Sequence, residues 1–238
     1  MSFKWQQKIH SAYTGATLSL RPAGAMYIVQ DALTGMHAEK KCGNMEMKRD
    51  HNCFWVVTKT KLIFRRYPAW HETVEVIADT AVTGRIRCES QVLITDAEGK
   101  LCVQARQELC VLDFERHRPQ RLSEVGFIPE VESLPPMEFE RFPAEELPVH
   151  HAQTVLPHMI DMSGHLNNVE YVKIAMDCFD STFTSLREPA ELEVHHLREC
   201  KEGALLSVCE KTEGDFSLVR ILCDGAPAFE MKILWRNK

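Results

Sequence analysis

Five prolines fall between Val125 and Val149: Pro129, Pro135, Pro136, Pro143 and Pro148, set among many glutamates. Proline lacks the N–H that a helix interior or a central strand needs, so this stretch cannot carry either without a break. It predicts a junction that cuts the 238-residue chain in two. The expected division is residues 1–124, a linker over 125–149, and residues 150–238.

The two flanking parts read alike. Before the linker, Met26, Val29, Leu33 and Met36 recur at spacings of three and four. That predicts a helix over Ala23 to Lys40, with Gly43 as a stop. Strand-like runs follow over Phe54 to Phe64, Glu72 to Thr80, Gly84 to Thr95 and Leu101 to Leu112, the last two joined by the turn Asp96-Ala97-Glu98-Gly99. After the linker, a helical stripe runs from Asn167 to Phe183 through Val169, Val172, Ala175, Met176 and Phe179. Four strands are expected next: Glu191 to Leu197, Ala204 to Thr212, Phe216 to Cys223 and Ala226 to Trp235. The order of one helix and then antiparallel strands therefore occurs twice. It implies an α+β fold built by internal duplication, with a long helix covering a sheet in each half. Two such sheets set side by side would also shield each other's edges.

The halves differ in their polar residues. Aligning Glu72-Thr73-Val74-Glu75-Val76 with Ala204-Leu205-Leu206-Ser207-Val208 puts Tyr67-Pro68 where Glu199-Cys200 stands. The first helix opens with Arg21-Pro22-Ala23-Gly24, with no acid and no histidine. The second is preceded by Asp161-Met162-Ser163-Gly164-His165-Leu166-Asn167-Asn168. N–H groups at a helix start lack intrahelical partners, and the dipole there favours negative charge. A carbonyl held at that point could take on oxyanion character. Asp161, His165 and Glu199 are the candidate general bases for attack by water, and Gly164 would let the backbone approach a substrate. A plainer reading stands beside this one. Asp161 or Ser163 could cap the helix, His165 could be an ordinary first-turn histidine, and Asn167-Asn168 could be turn and cap residues. Residue types alone favour the plainer reading.

Other features narrow the function. The net charge of −6, with both signs spread along the chain, gives no basic stripe for nucleic acid. No apolar run is long enough for a membrane span, and MSFKWQQKIH lacks a signal-peptide core. Nine cysteines without C-x-x-C spacing read as reduced thiols in a cytoplasmic protein. Five of them (Cys88, Cys102, Cys110, Cys209, Cys223) lie in strand-like runs. His195 and His196, adjacent in a strand, should face opposite ways, and His150-His151 falls in the linker and should be exposed. No metal or nucleotide motif is present, so no metal and no cofactor are expected. Lys59, Lys61, Arg65 and Arg66 form a positive cluster, suited to a phosphopantetheine arm on an acidic carrier or to ordinary edge-strand charges. Met26, Tyr27, Met36 and Trp70 suit an acyl tunnel as readily as a core.

The string Asp-x-x-x-His-x-Asn-Asn-x-x-Tyr, spelled by Asp161, His165, Asn167, Asn168 and Tyr171, resembles the signature of acyl-acyl carrier protein (acyl-ACP) thioesterases. Arg198-Glu199-Cys200 matches a second motif. Arg66-Tyr67-Pro68-x-Trp70 with its following Glu-x-Val-x-Val matches a third, and the run from Asp96-x-x-Gly99 to Arg118-Pro119 a fourth. All are collinear over nearly the whole chain. The resemblance implies two tandem hotdog units, each a long helix packed on a curved antiparallel sheet. It implies hydrolysis of acyl-ACP to free fatty acid and carrier protein, ending chain elongation in fatty acid synthesis. The carrier would present its acyl chain on phosphopantetheine. The C-terminal unit would carry catalysis, and the N-terminal unit most of the acyl pocket. Glu199 would be the base for water; Asp161 and His165 would orient the network and the carbonyl. Ser163 stands where plant members have asparagine. Gly164, Asn167 and Cys200 would contact substrate, and Cys200 matches a position once considered as a nucleophile. A hotdog acyl-CoA thioesterase and a non-catalytic acyl-ligand binder are the alternatives, and a homodimer stays open.

Overall fold

A computed structural model describes residues 2–126 and 137–238 of the chain. Pro129, Pro135 and Pro136 lie outside the described residues. The chain forms two compact units, Met1–Glu138 and Phe139–Lys238. From 137 to 148 the backbone has neither helix nor strand, which fits the prolines and glutamates there.

In the first unit, strand β1 (Phe3–Lys8) precedes helix α1 (Pro22–Glu39) and the short helix α2 (Asn44–His51). Strands β2 (Cys53–Phe64), β3 (Thr73–Thr83), β4 (Arg87–Thr95) and β5 (Leu101–Asp113) follow. They form an antiparallel sheet in the order β1-β3-β4-β5-β2. The stripe Met26, Val29, Leu33 and Met36 is fully buried, and α1 packs against β1, β3 and β4. Burying four such side chains contributes roughly 1.5–3 kcal/mol each, which decides which face of α1 turns inward. The turn between β4 and β5 closes as expected: Gly99, at φ +80°, donates its N–H to the Asp96 carbonyl at 3.0 Å.

The second unit begins with β6 (Val149–Thr154). Helices α3 (Asn168–Met176) and α4 (Ser181–Leu186) come next. Strands β7 (Arg187–His196), β8 (Leu205–Glu213), β9 (Phe216–Cys223) and β10 (Ala226–Asn237) complete it. Its antiparallel order is β6-β8-β9-β10-β7. Replacing each strand by its counterpart in chain order reproduces the first unit's arrangement, so both units share one topology.

Four sequence expectations need correction. Gly43 does not simply end a helix: α1 stops at Glu39, and Gly43 is the N-cap position of α2. The expected helix from Asn167 to Phe183 is two helices. The Asp180 side chain accepts from the Phe183 N–H at 2.7 Å and starts α4 afresh. The break lets both Phe179 and Phe183 pack on Trp235, at 4.8 and 4.9 Å between ring centroids. Strand β1 was not expected at all. His150 and His151 belong to strand β6 rather than to a linker, and His151 is half-buried.

All nine cysteines are free, six of the seven buried ones lying within strands. Among the described residues, no helix is long and apolar enough to cross a membrane.

Gly24, in the first turn of α1, is set by close approach. A Cβ there would lie 2.3 Å from the Tyr13 carbonyl oxygen. Gly24→Ala should therefore destabilise the chain by about 1–3 kcal/mol despite alanine's better helix propensity. The urea unfolding midpoint measures this, and an unchanged or raised midpoint would show that the turn before α1 yields freely.

Candidate active site

Two segments of the second unit meet at the start of α3. The first is the turn Asp161 to His165. The Asp161 N–H donates to the His165 carbonyl at 3.0 Å, and the Gly164 N–H donates to the Asp161 carbonyl at 3.0 Å. The Asp161 carboxylate accepts from the Ser163 N–H at 2.8 Å, holding the turn from inside. Gly164 takes φ +81°, a conformation that favours glycine.

The second segment is Arg198-Glu199-Cys200, just past β7. It is tied to the first at two main-chain points. The Leu166 N–H donates to the Cys200 carbonyl at 2.8 Å. The Tyr171 hydroxyl, one turn into α3, donates to the Arg198 carbonyl at 3.1 Å. These bonds flank Glu199 and fix where its side chain can reach. His165 Nε2 lies 3.0 Å from Glu199 Oε2, with the side chains 24% and 42% exposed. The pair is thus ordered by its neighbours yet open to water.

The helix cap is Asn167, whose side-chain oxygen accepts from the Val169 N–H at 2.8 Å. Neither Asp161 nor Ser163 caps α3, so that part of the plainer reading does not apply. Ser163 is exposed, and its backbone N–H is the group engaged by Asp161. Met162 projects fully into solvent. Gly164 and the Asp161-Ser163 contact belong to the same turn as His165.

The first unit repeats the backbone of this site almost bond for bond. Gly15 N–H bonds to Ser19 O at 3.2 Å, and Leu18 N–H to Gly15 O at 3.1 Å. Leu20 N–H bonds to Pro68 O at 2.8 Å, as Leu166 does to Cys200. Arg21 N–H bonds to Tyr13 O, as Asn167 does to Met159, both at 2.9 Å. Bridges Thr14↔Leu20 and Ile160↔Leu166 close the two turns alike. By this register Gly15 stands for Asp161, Ser19 for His165 and Tyr67 for Glu199. The scaffold is duplicated; the acid and the imidazole occur only in the second copy.

Cys200 is buried, and burial pushes its thiol up to about 12. Its sulfur interacts with Tyr171 and Cys223 rather than with a histidine. A thiol so placed is neither exposed nor ionised enough to attack a carbonyl. His195 is also committed elsewhere: it bonds to Glu193 at 2.9 Å and stacks on Phe142. Of the basic cluster in the first unit, Arg66 is held by Glu72 through both guanidinium nitrogens at 2.8 and 2.5 Å. Lys61 is buried, with its ammonium on the Glu138 carbonyl. Met26 and Met36 are core residues, whereas Trp70 is exposed.

With this geometry in place, comparison with known proteins is decisive. Residues 1–125 match the acyl-ACP thioesterase N-terminal domain model, and residues 148–237 match its C-terminal domain model. The chain belongs to the acyl-ACP thioesterase family. A chloroplastic acyl-acyl-carrier-protein hydrolase of Cuphea viscosissima is 26% identical over 80% of this chain and 50% of its own length. The chloroplastic dodecanoyl-acyl-carrier-protein hydrolase of Cinnamomum camphora is 23% identical over 80% of this chain and 54% of its own. The chain thus spans about half the length of the curated relatives it matches. A crystal structure of an acyl-ACP thioesterase from Bacteroides thetaiotaomicron shares the fold, with a TM-score of 0.91, 17% identity, and coverage of 99% of this chain and 98% of that one. The 12:0-ACP thioesterase of Umbellularia californica aligns with a TM-score of 0.84 at 19% identity, over 100% of this chain and 98% of its own.

Next to the site, His196 packs against Tyr171 and Phe229. The residue is half-buried, but both ring nitrogens are enclosed and have no hydrogen-bond partner. Burial, with a smaller contribution from His195, lowers its pKa from 6.5 to about 3. Unfolded, the imidazole takes a proton near pH 6.5; folded, it does not. Unfolding therefore takes up a proton, and stability falls as pH drops below about 6.5. At about pH 5 this one group should cost up to about 2 kcal/mol relative to pH 7. His37, lowered to about 4 by burial, acts in the same direction. Urea midpoints across this range should fall less steeply for His196→Leu; an unchanged slope would mean that His196 is protonated in the folded chain.

Proposed function

We propose that the chain hydrolyses the thioester of acyl-ACP, releasing free fatty acid and carrier protein, and that each unit is a hotdog. The observation that carries this reading is the His165–Glu199 pair at 3.0 Å, present in the second unit and replaced by Ser19 and Tyr67 in an otherwise matching scaffold. Duplicated helix-on-sheet units with one strand order, and family models matched over both, support the tandem hotdog. On this reading, residues 150–238 hold the catalytic unit, residues 1–124 supply most of the acyl pocket, and 125–149 joins them. The partner is acyl carrier protein with its phosphopantetheine-linked chain.

The chemistry follows from the geometry. The His165 imidazole N–H donates to Glu199 Oε2 and leaves the other carboxylate oxygen for a water molecule. Glu199 takes a proton from that water as its oxygen bonds to the thioester carbonyl carbon. Negative charge then builds on the carbonyl oxygen. The Asn168 N–H, first in α3, stands at the positive end of the helix dipole, where such charge is stabilised. When the tetrahedral adduct collapses the C–S bond breaks, and the proton held by Glu199 passes to the departing sulfur. The products are a carboxylic acid and the free phosphopantetheine thiol. Asp161 acts by holding the turn that presents His165, and Asn167 by capping the helix. Ser163 and Gly164 shape the same turn. Cys200 contributes its carbonyl to the scaffold, and its thiol takes no part.

Assays on acyl-ACP with purified variants test this assignment. Glu199→Ala should lower kcat by roughly 10²–10⁴-fold without loss of fold. Cys200→Ala should keep most of the activity, and thiol alkylation should not inactivate. Asp161→Asn retains an oxygen for the Ser163 N–H and should stay far more active than Asp161→Ala. Near-normal turnover by Glu199→Ala, or a dead Cys200→Ala that still folds, would overturn the assignment.

A further inference from the structure

Strand β6 pairs with β8, but its register slips between Val149 and His151. Consecutive strand residues normally face opposite sides. A bulge re-aims a side chain, and here it turns His150 and His151 to the same side. Their Nδ1 atoms lie 3.0 Å apart. Cys178 completes the group: its sulfur and the two imidazoles each offer a ligand atom, all within 4.8 Å of one another. Cys178 sits in the turn that ends α3, just past Asp177. The site is therefore at the opposite end of α3 from Asn167, about 16 Å along the helix axis.

We infer that His150, His151 and Cys178 form a binding site for a tetrahedral divalent transition metal, with Zn(II) the ion that best suits the donors. Two imidazoles and one thiolate are a borderline-soft set that fits Zn(II), whereas oxygen-seeking Mg(II) and Ca(II) want carboxylates and carbonyls. Zn–N bonds of about 2.0–2.1 Å put the two nitrogens of a tetrahedral site about 3.3 Å apart, close to the spacing already present. A hydrogen bond between two imidazoles would account for that spacing alone, but not for a thiol beside both. The sulfur, within 4.8 Å of both imidazole ligand atoms, would close to bonding distance as the ion binds. The fourth position is open to water or to a carboxylate. Asp177 acts electrostatically on both His151 and Cys178, and Glu210 on Cys178, so both carboxylates favour a cation there. Burial holds the Cys178 thiol up at about 12, so its proton leaves for solvent only as the S–metal bond forms. His151 is shifted the other way, towards the neutral form that can ligate. A metal here would clamp β6, at the end of its sheet, to the end of the helix near whose start the His165–Glu199 pair lies. This reading is independent of the thioesterase assignment.

Co(II) alone, titrated into the untagged chain kept reduced with a non-chelating phosphine, tests the site. One equivalent should bind with visible bands of a tetrahedral centre and a near-ultraviolet thiolate-to-cobalt band, and Zn(II) should displace it. Cys178→Ser should abolish the thiolate band. His150→Gln, a change at an exposed position that leaves the core untouched, should weaken binding by more than about tenfold, the loss already expected from removing an outer-shell partner. Zn(II) should raise the thermal midpoint of the wild-type chain but not of Cys178→Ser. Absence of a thiolate band in the wild type, its survival in Cys178→Ser, or full affinity in His150→Gln would each overturn the proposal.

Discussion

The hydrogen bond from the Leu166 N–H to the Cys200 carbonyl is the constraint on which the candidate site depends. It joins a turn before a helix to a segment after a strand, across more than thirty residues of chain. One residue to one side of each bonded position lie His165 and Glu199. Once the main chains are joined, the two side chains have little choice but to meet. A buried main-chain bond contributes only about 0.5–1.5 kcal/mol net, but leaving its carbonyl unmet would cost about 1–3 kcal/mol. The second tie, from Tyr171 to Arg198, makes the helix itself a stop for the same segment. The geometry of the candidate pair is thus held by main-chain ties rather than by its own side chains, which is why the pair can remain part-exposed.

The same bond exists between Leu20 and Pro68 in the first unit, where it positions Ser19 and Tyr67 instead. Duplication copied the support and not the reactants. Backbone bonds constrain only local geometry, so side chains at the supported positions are free to diverge. Leu18 at φ +55° shows the cost of that divergence: it keeps the left-handed turn that Gly164 adopts without penalty. The first unit therefore holds a strained turn with no acid and no imidazole.

Much of the fold was legible in the sequence because it rests on apolar periodicity. The stripe of α1 is buried as its spacing says it should be, and parts of β9 and β10 alternate, whereas β5 is buried almost throughout, with Arg106, Gln107 and Glu108 included. The misses share a cause. Strands β1 and β6 are short, mostly polar and paired on only one side within their sheets, so little hydrophobic signal marks them. The break before α4 turned on one acid, Asp180, acting as a cap inside an apolar stripe. At the site, Asp161 and His165 drew notice as residue types, and the register that set Tyr67 against Glu199 proved to be the structural one. Glu199 already stood among the candidate bases, and the resemblance singled it out as the base for water. The sequence offered Asn167 among several cap candidates, and the structure selects it; what spacing could not give was that Asp161 serves the turn through the Ser163 N–H and that Cys200 faces inward to Tyr171.

On the proposed reading the carrier protein, not merely a thioester, is the substrate. The most direct test compares kcat/KM of the purified chain for one acyl group presented on acyl carrier protein and on coenzyme A, which share the phosphopantetheine arm and differ in what carries it. The account predicts clear preference for the acyl-ACP; equal or better hydrolysis of the coenzyme A ester would contradict it.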